Sequence, residues 1–478
     1  MNGLTMTIEA LSGLLEKKEV SSTELTEAFL QQIQAKEPEL NAFITVTRAT
    51  ALEAAAASDA RRGRGEAIGR LDGIPFSLKD NFSVKGIPMT CASKMLGNYR
   101  PPYTATAAEH LLQAGAVLLG KNNMDEFAIG SSTENSAFGP VKNPLDPLRV
   151  PGGSSGGSAA CVAAGEAAFS LGSDTGGSVR QPAACCGIVG LKPTYGVISR
   201  YGVTALASSL DQVGILARNI KDTALILNQV ASYDPKDSMS WRDAAADYSA
   251  AIGVGVAGKR IGIVKEYLGS DMDPDALAWV RQAADWLTAA GARVEEVSMP
   301  NMAHCLACYY VLMSAEFHAN MGRFDGLRFG MRAEGDDYFS MITNSRTQGL
   351  GPEVKTRILF GTYVLSEAQY EKFFLKAMKV RTLICRDYEE AFKKVDCLLT
   401  PVQNGLPFHW GSRQGDSVKM AATDKLAIPS NLAGLPALAL PFGSAEGLPG
   451  AVQLIGKPFS EAMLLGIADY LEQEGQRP

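Results

Sequence analysis

Hydrophobic and polar positions along the chain switch between helical and strand-like periods, which predicts alternating helices and strands. Residues 21–33 begin with Ser-Ser-Thr-Glu, which is typical of a helical capping box, and apolar residues then recur at helical spacing. Short apolar runs at 74–79, 116–120 and 187–192 are bounded by turn residues and predict buried strands. This alternation predicts an α/β fold whose sheet is covered by helices on both faces.

The second half of the chain continues the alternation. Strand patterns at 260–265 and 293–297 flank a helical pattern at 275–290, which predicts a βαβ unit. Residues 334–352 are polar and contain several glycines, so we expect an irregular excursion near the mouth of a site. The final helix is predicted over 460–474.

Composition and charge exclude some classes of function. The net charge of −6 and the single basic run at 61–64 argue against extensive direct binding of a polynucleotide. No apolar run is long enough to span a membrane and no signal peptide is recognisable, so a cytoplasmic protein with reduced cysteines is expected. Cys305 and Cys308 form a C-x-x-C motif, but no second pair lies at zinc spacing, and we expect no metal site.

Two glycine-serine clusters flank an alanine-rich stretch at 159–168, which is predicted to be a buried helix. The first Gly-Ser cluster is 152–158 and the second is 174–178. Glycine-rich turns and helix N-termini offer free N–H groups to a phosphate or to the oxyanion of an acyl transfer. A nucleotide P-loop is excluded because no Lys follows these glycines, and the apolar flanks disfavour a flexible linker.

Acyl transfer also needs a nucleophile and a base. Ser178 is the candidate nucleophile, since the two glycines before it can expose its hydroxyl. The four histidines lie far from both clusters in sequence, although a distant histidine can still approach in space. Lys79, at the end of a predicted buried strand, is the other candidate base. Burial would have to lower its pKa from about 10.4.

The two clusters together with Lys79 resemble the amidase signature family, whose catalysts form a Ser–cis-Ser–Lys triad. The resemblance implies that Ser178 is the nucleophile, Ser154 the bridging serine and Lys79 the base. It also implies an oxyanion hole made of four backbone N–H groups, those of Thr175, Gly176, Gly177 and Ser178.

The same resemblance implies the amidase signature fold, an α/β fold with a large mixed central β-sheet covered by helices on both faces, in one domain spanning residues 1–478. We interpret 1–62 as an N-terminal helical appendage and 63–220 as the signature core. Residues 221–478 would then supply the remainder of the sheet and the elements of the substrate pocket.

Further segments narrow the resemblance within this family. Residues 123–136, 190–196, 208–212 and 351–363 resemble the glutaminase (A) subunits of bacterial tRNA-dependent amidotransferases. Such subunits hydrolyse glutamine and pass ammonia to a B subunit, while a small C subunit wraps the pair. The B subunit uses ATP and Mg to activate a misacylated tRNA, either Glu-tRNA(Gln) or Asp-tRNA(Asn). The resemblance therefore implies no cofactor in this chain and tRNA contact mainly through the B subunit.

The resemblance also implies how the substrate is held. By position, Arg357 would bind the carboxylate of glutamine and Asp424 its ammonium group, with Tyr309 nearby. Arg357 and Asp424 are equally compatible with ordinary surface ion pairs. The segments 401–405 and 420–424 depart from the form usual in the A subunits.

Two other functions stay open at this point. A free-standing amidase would use the same triad, with water as the acyl acceptor and no partner. A catalytically silent scaffold is the third hypothesis, and the presence of Lys79, Ser154 and Ser178 argues against it. Asp125 and Glu126 resemble an acid–base pair, but we expect them to cap or orient the following loop.

Overall fold

A single mixed sheet forms the centre of the computed structural model, which describes residues 4–242, 246–269 and 272–475. Its strands lie in the order β1-β3-β2-β4-β6-β5-β10-β11-β9-β7-β8. They span Phe43–Val46 (β1), Pro75–Lys79 (β2), Val117–Asn122 (β3), Phe169–Asp174 (β4), Val189–Lys192 (β5), Gln212–Ala217 (β6), Arg260–Val264 (β7), Arg293–Val297 (β8), Cys397–Pro401 (β9), Ala437–Ala445 (β10) and Leu448–Gly456 (β11).

The sheet contains both parallel and antiparallel pairs. Strand β2 runs parallel to β3 and β4, and β7 runs parallel to β8 and β9, while the remaining neighbours are antiparallel. Every residue of β2, β3, β4, β5, β6 and β9 is buried. Successive strand side chains point to opposite faces, so the sheet is covered on both sides. The predicted mixed sheet and βαβ unit are confirmed.

Helices and short turns connect the strands. The α-helices are Ile8–Glu16 (α1), Ser22–Leu40 (α2), Arg48–Gly63 (α3), Thr106–Gln113 (α4), Gly156–Ala163 (α5), Arg180–Cys186 (α6), Ile220–Val230 (α7), Pro274–Ala289 (α8), Cys305–Met321 (α9), Tyr338–Gly349 (α10), Pro352–Leu365 (α11), Lys376–Lys394 (α12), Ser417–Ala422 (α13), Ile428–Leu432 (α14) and Glu461–Gly475 (α15). Turns of 3-10 helix occur at Lys94–Leu96, Glu126–Ala128, Tyr248–Ala251, Lys265–Tyr267 and Pro300–His304, and a π-helical turn at Glu371–Leu375.

The predicted capping box at the start of α2 is confirmed. The backbone N–H of Glu24 donates to Ser21 Oγ at 3.1 Å, and the N–H of Ser21 donates to Glu24 Oε2 at 2.9 Å. Both N–H groups would otherwise lack a partner at the helix N-terminus. Among the described residues, no helix is both long and apolar enough to cross a membrane.

Two predicted elements differ in the structure. The helix predicted at 159–168 is Gly156–Ala163, because it starts within the first Gly-Ser cluster and ends before Gly165, whose φ is +72°. At Gly157 a Cβ would collide with the carbonyl oxygens of Asn123 and Ala42, so the chain needs glycine there. The prediction of an irregular segment at 334–352 is wrong, because it contains α10. Asp337 caps this helix in a capping box with Ser340.

A buried ion pair joins the two halves of the sheet beside the second Gly-Ser cluster. Arg180 Nη2 lies 3.0 Å from Asp174 Oδ1, and both side chains are fully buried. The same guanidinium donates to Asn431 Oδ1 and Gln453 Oε1, at 2.5 and 2.6 Å. The pair therefore links β4 and α6 to α14 and β11.

The domain limits predicted at residues 62 and 220 stay predictions.

This network predicts a large loss of stability in Arg180→Ala. Removing the guanidinium leaves the Asp174 carboxylate buried without a compensating charge, which costs about 3–5 kcal/mol. Arg64→Ala, which breaks an exposed pair with Glu66, is the matched control and should leave stability nearly unchanged. Chemical unfolding monitored by circular dichroism measures both variants. Equal effects in the two would contradict the role given to the buried pair.

Candidate active site

The amine of Lys79 is buried at the carboxyl end of β2 and touches two serines. Its Nζ lies 2.8 Å from Ser154 Oγ, 3.0 Å from Ser173 Oγ and 3.3 Å from the Ser173 carbonyl oxygen. Because β2 and β4 run parallel, their carboxyl ends lie side by side, which brings Ser173 to Lys79. Asn81 Nδ2 also donates to Ser173 Oγ at 3.0 Å and fixes this hydroxyl.

Burial dominates the electrostatics of this lysine. It lowers the pKa of Lys79 to about 7, because the ammonium form loses its hydration. The negative charges of Asp125, Asp174 and Asp211 oppose the shift and favour the ammonium form. The amine is therefore poised to gain or lose a proton near neutral pH, as an acid–base catalyst requires.

Ser154 is held by a tightly packed backbone. A cis peptide bond joins Gly153 to Ser154, and Gly153 N–H donates to Gln181 Oε1 at 2.9 Å. The backbone of Gly153 lies directly against the carboxylate of Asp125, where a Cβ would collide. The first Gly-Ser cluster therefore uses its glycine to bring Ser154 over the buried amine.

Asp125 and Glu126 serve neighbouring loops and do not face each other as an acid–base pair. Asp125 accepts hydrogen bonds from the N–H groups of Thr133 and Asn135, at 2.9 and 3.1 Å. Glu126 accepts from Ser93 Oγ at 2.5 Å and from Gly351 N–H at 2.9 Å. Asp125 therefore orients the following loop, as the sequence predicted, whereas Glu126 holds Ser93 and Gly351, which lie elsewhere in the chain.

Ser178 stands at the opening of the site. It follows the sharp turn between β4 and α6, is partly exposed and lines a cleft. Its carbonyl oxygen accepts from Ser155 N–H at 3.2 Å, which ties the two Gly-Ser clusters together. In the part of the chain that the structure describes, no protein group hydrogen-bonds to the Ser178 hydroxyl. This oxygen is accessible to a substrate in the cleft.

The turn before Ser178 presents some, but not all, of its expected oxyanion donors. Gly177 N–H donates to Asp174 Oδ1 at 2.8 Å, so this group is already engaged and does not point into the cleft as a free donor. Gly176 and Ser178 line the cleft, and within the described ranges their N–H groups have no hydrogen-bond partner. Thr175 uses its hydroxyl to bind Asp211 Oδ1 at 2.7 Å.

The cleft brings Ser178 together with the residues expected to hold the substrate. It has a volume of about 840 Å³ including its open mouth. Its lining includes Tyr309, Arg357 and Asp424, together with three residues that the sequence did not indicate, Ser131, Tyr310 and Arg413. The ring of Tyr309 packs so closely on Gly176 that a Cβ there would lie 2.6 Å from Tyr309 Cζ.

The charged residues of the cleft have different partners. Arg357 Nη2 forms an ion pair with Glu353 at 2.7 Å and stacks over the Tyr310 ring at 4.7 Å. Asp424 is buried and accepts from Ser131 Oγ at 2.5 Å. Burial raises the pKa of Asp424 to about 7, while the hydrogen bond from Ser131 and the charge of Arg357 oppose this shift. Both residues line the cleft. Asp424 is buried and is not a surface ion-pair residue, whereas Arg357 does form an ion pair, with Glu353 of its own helix.

No histidine lies in the cleft among the residues described, which removes the support for a histidine base. None of the described cysteines forms a disulfide bond. Cys305 and Cys308 bind backbone carbonyl oxygens of Lys425 and Ala377, at 3.6 and 3.2 Å. The described ranges hold no cluster of three or more His, Cys, Asp or Glu side chains arranged for a metal ion.

The fold and cleft define an amidase, and the family comparison agrees. The Amidase family model matches residues 24–465, so the chain belongs to this family. It is 52% identical over 468 residues to the A subunit of glutamyl-tRNA(Gln) amidotransferase from Moorella thermoacetica, a match that covers 98% of this chain and 96% of that relative. The family resemblance predicted from the sequence is therefore confirmed.

Solved structures place the chain in the same family. The crystal structure of the A subunit of glutamyl-tRNA(Gln) amidotransferase from Thermotoga maritima is 38% identical, with a TM-score of 0.82, over 98% of this chain and 95% of that chain. The native peptide amidase from Stenotrophomonas maltophilia is 30% identical, with a TM-score of 0.82, over 99% of this chain and 98% of that chain. The predicted amidase signature fold is confirmed.

The buried position of Lys79 predicts an unusual titration. In protein labelled with ¹³Cε-lysine, we expect the NMR signal of Lys79 to titrate with a midpoint near 7. Burial also lowers the pKa of Lys192, so its signal should differ from those of exposed lysines as well. Exposed lysines should titrate near pH 10.4. The variant Lys79→Arg lacks this signal, which assigns the signal to Lys79 and provides the control. A Lys79 signal that stays in the ammonium form up to pH 9 would contradict the electrostatic account of the site.

Proposed function

We propose that this chain is the glutamine-hydrolysing A subunit of a tRNA-dependent amidotransferase. The observation that carries the proposal is the contact between the Lys79 amine and Ser154 Oγ, behind a cleft that also holds Ser178 and Asp424. The similarity to glutamyl-tRNA(Gln) amidotransferase A subunits over nearly the whole chain supports the amidotransferase assignment. The roles of individual residues below are part of the proposal.

In the proposed mechanism, Lys79 acts as the base and later as the acid. A neutral amine has two N–H donors and one lone pair. The two oxygens of Ser173 accept the two N–H groups, which leaves the lone pair for the Ser154 hydroxyl. When protonated, the ammonium group has three donors and the same three oxygens as acceptors. The amine can therefore change its protonation state without moving.

The chemical step forms an acyl-enzyme. Ser178 Oγ attacks the side-chain amide carbon of glutamine while its proton passes to Ser154, and the proton of Ser154 passes to Lys79. The N–H groups of Gly176 and Ser178 stabilise the oxyanion. As the C–N bond breaks, the nitrogen takes a proton back through Ser154 and leaves as ammonia. Water then cleaves the ester by the same route and releases glutamate.

The charged groups of the cleft hold the amino-acid end of glutamine. Asp424 binds the α-ammonium group, Arg357 contributes to binding of the α-carboxylate, and the Tyr309 ring closes the side next to Gly176. Ammonia passes to a B subunit that uses ATP and Mg to activate Glu-tRNA(Gln) or Asp-tRNA(Asn). A C subunit completes the complex, which we expect in the cytoplasm. This chain itself needs no cofactor for the hydrolysis.

The mechanism predicts that Ser178→Ala removes glutamine hydrolysis, with kcat lower by about 10⁴-fold or more. Lys79→Ala should lower kcat by nearly as much. The members of a catalytic triad act as one unit, so removing any one of them removes most of the activity. Ammonia release measured with glutamate dehydrogenase tests both variants. Ser366→Ala, at an exposed serine on the surface, is the matched control and should keep full activity. Turnover retained in Ser178→Ala would refute the nucleophile, and turnover retained in Lys79→Ala would refute the base.

The partner proposal predicts that hydrolysis depends on the complex. Ammonia release from glutamine should be weak for this chain alone and rise strongly with co-expressed B and C subunits, ATP and misacylated tRNA. The assay should also yield Gln-tRNA(Gln) or Asn-tRNA(Asn), and Ser178→Ala within the complex is the control. Vigorous hydrolysis of other amides by the chain alone, with no hydrolysis of glutamine, would instead make it a free-standing amidase.

A further inference from the structure

One threonine beside the first Gly-Ser cluster has an unusual backbone conformation. Thr133 has a φ of +58°, in the left-handed region that glycine adopts freely and β-branched residues avoid. Such a conformation is costly and persists only where the surrounding contacts enforce it. Here the turn directs the N–H groups of Thr133 and Asn135 onto the two carboxylate oxygens of Asp125, at 2.9 and 3.1 Å. The buried carboxylate of Asp125 therefore holds the strained turn in place.

The hydroxyl of Thr133 connects the two ends of the segment that carries Ser154. Its O–H donates to the Gly152 carbonyl at 2.7 Å, and the same oxygen accepts from Gly156 N–H at 3.0 Å. A hydroxyl can donate and accept at once, which a methyl group cannot. These two backbone groups lie two residues before and two residues after Ser154. One side chain therefore fixes the segment on both sides of this serine.

The residues between these two ends are held as well. Three further bonds reach them from other parts of the chain: Gly153 N–H to Gln181 Oε1, Asp125 N–H to the Ser154 carbonyl, and Ser155 N–H to the Ser178 carbonyl. The packing around the hydroxyl is tight, because a Cβ at Gly156 would lie 2.2 Å from Thr133 Oγ1. Loss of this hydroxyl would free both ends of the segment and leave two buried backbone groups without their partner.

Thr133 is fully buried behind the cleft. Ser131 and Asn135, on either side of it in the chain, line the cleft, whereas the hydroxyl of Thr133 points to the first Gly-Ser cluster. Its effect on the reaction is therefore transmitted through Ser154. The proton relay depends on the 2.8 Å contact between Ser154 Oγ and the Lys79 amine. A displacement of about 1 Å at such a contact can lower the rate by about 100-fold.

We propose that Thr133 is the positioning residue of the proton relay: its hydroxyl holds Ser154 Oγ within hydrogen-bonding distance of the Lys79 amine. The inference rests on the proposed triad, because Thr133 has this role only if Ser154 transfers the proton. It does not depend on which amide the cleft accepts.

The test is Thr133→Val, which has nearly the same shape but lacks the hydroxyl. We expect kcat for glutamine hydrolysis by the complex to fall by about 100-fold with little change in KM, because Ser154 moves while the cleft does not. Thr133→Ser keeps the hydroxyl and should retain most of the activity. The NMR titration of Lys79 in Thr133→Val should keep its midpoint near 7, since the amine stays buried.

A second substrate separates this role from a general structural one. Ammonia can leave only after a proton reaches the nitrogen through Ser154, whereas the methoxide of glutamate γ-methyl ester is a better leaving group and depends less on that proton. Thr133→Val should therefore lose less kcat/KM on the ester than on glutamine. Full activity in Thr133→Val, or equal losses on the two substrates, would overturn the inference.

Thr223→Val is the matched control. The hydroxyl of this buried threonine also donates to a backbone carbonyl, that of Asn219 at 2.8 Å, but it lies in α7, outside the cleft lining. This variant should keep both activities.

Two further results would also decide the inference. If Thr133→Val does not fold, Thr133→Ala compared with Thr133→Ser isolates the hydroxyl again, and equal activity in these two variants would contradict the proposed role. If the wild-type complex cleaves another amide but not glutamine, the proposed function fails, and the same variants assayed on that amide test Thr133 separately.

Discussion

The site depends on one interaction, the contact of a fully buried lysine amine with two serine hydroxyls. Removing Lys79 from water lowers its pKa to about 7, and three carboxylates keep it from falling further. The oxygens of Ser154 and Ser173 satisfy its hydrogen-bonding groups in either protonation state. A buried charge with fewer partners would be costly, and an exposed lysine would remain protonated at neutral pH.

The rest of the architecture brings distant segments to this amine. Parallel pairing of β2 with β4 sets Ser173 beside Lys79, and the close packing of Gly153 on Asp125 places Ser154 above it. Asp174 then shapes the turn that exposes Ser178, since it accepts from Gly177 N–H and pairs with Arg180. The buried carboxylate of Asp174 therefore both shapes this turn and stabilises the sheet.

Local patterns explain how much could be predicted from the sequence. The buried strand ending at Lys79, the capping box at Ser21 and the α/β sheet follow from periodicity and turn residues, and the glycine-serine clusters identified the site. That the sheet is mixed was expected from the family resemblance. The contact of Lys79 with Ser173 joins residues 94 positions apart, and no local pattern indicates it. Helix α10 was not predicted because its sequence is polar and contains glycine, although Asp337 caps the helix.

The residues of the cleft were only partly predictable, because several of them meet through tertiary contacts that no local sequence pattern indicates. Ser178, Arg357 and Asp424 were expected from the family resemblance, and the structure brings them into one cleft. Arg413 lies in a loop whose position depends on backbone hydrogen bonds to Glu134 and Leu148, far away in sequence. The engagement of Gly177 N–H by Asp174 is likewise a tertiary contact. Such contacts depend on the folded arrangement and leave no periodic signal.

The central claim is that neutral Lys79 activates Ser178 through Ser154. The most direct test is the rate at which phenylmethanesulfonyl fluoride modifies Ser178, followed by mass spectrometry as a function of pH. If neutral Lys79 is the base, the rate should rise with pH around a midpoint near 7 and then level off. In Lys79→Met, modification should be slow and lack this midpoint. Modification of another residue, or the same pH dependence in the variant, would contradict the account.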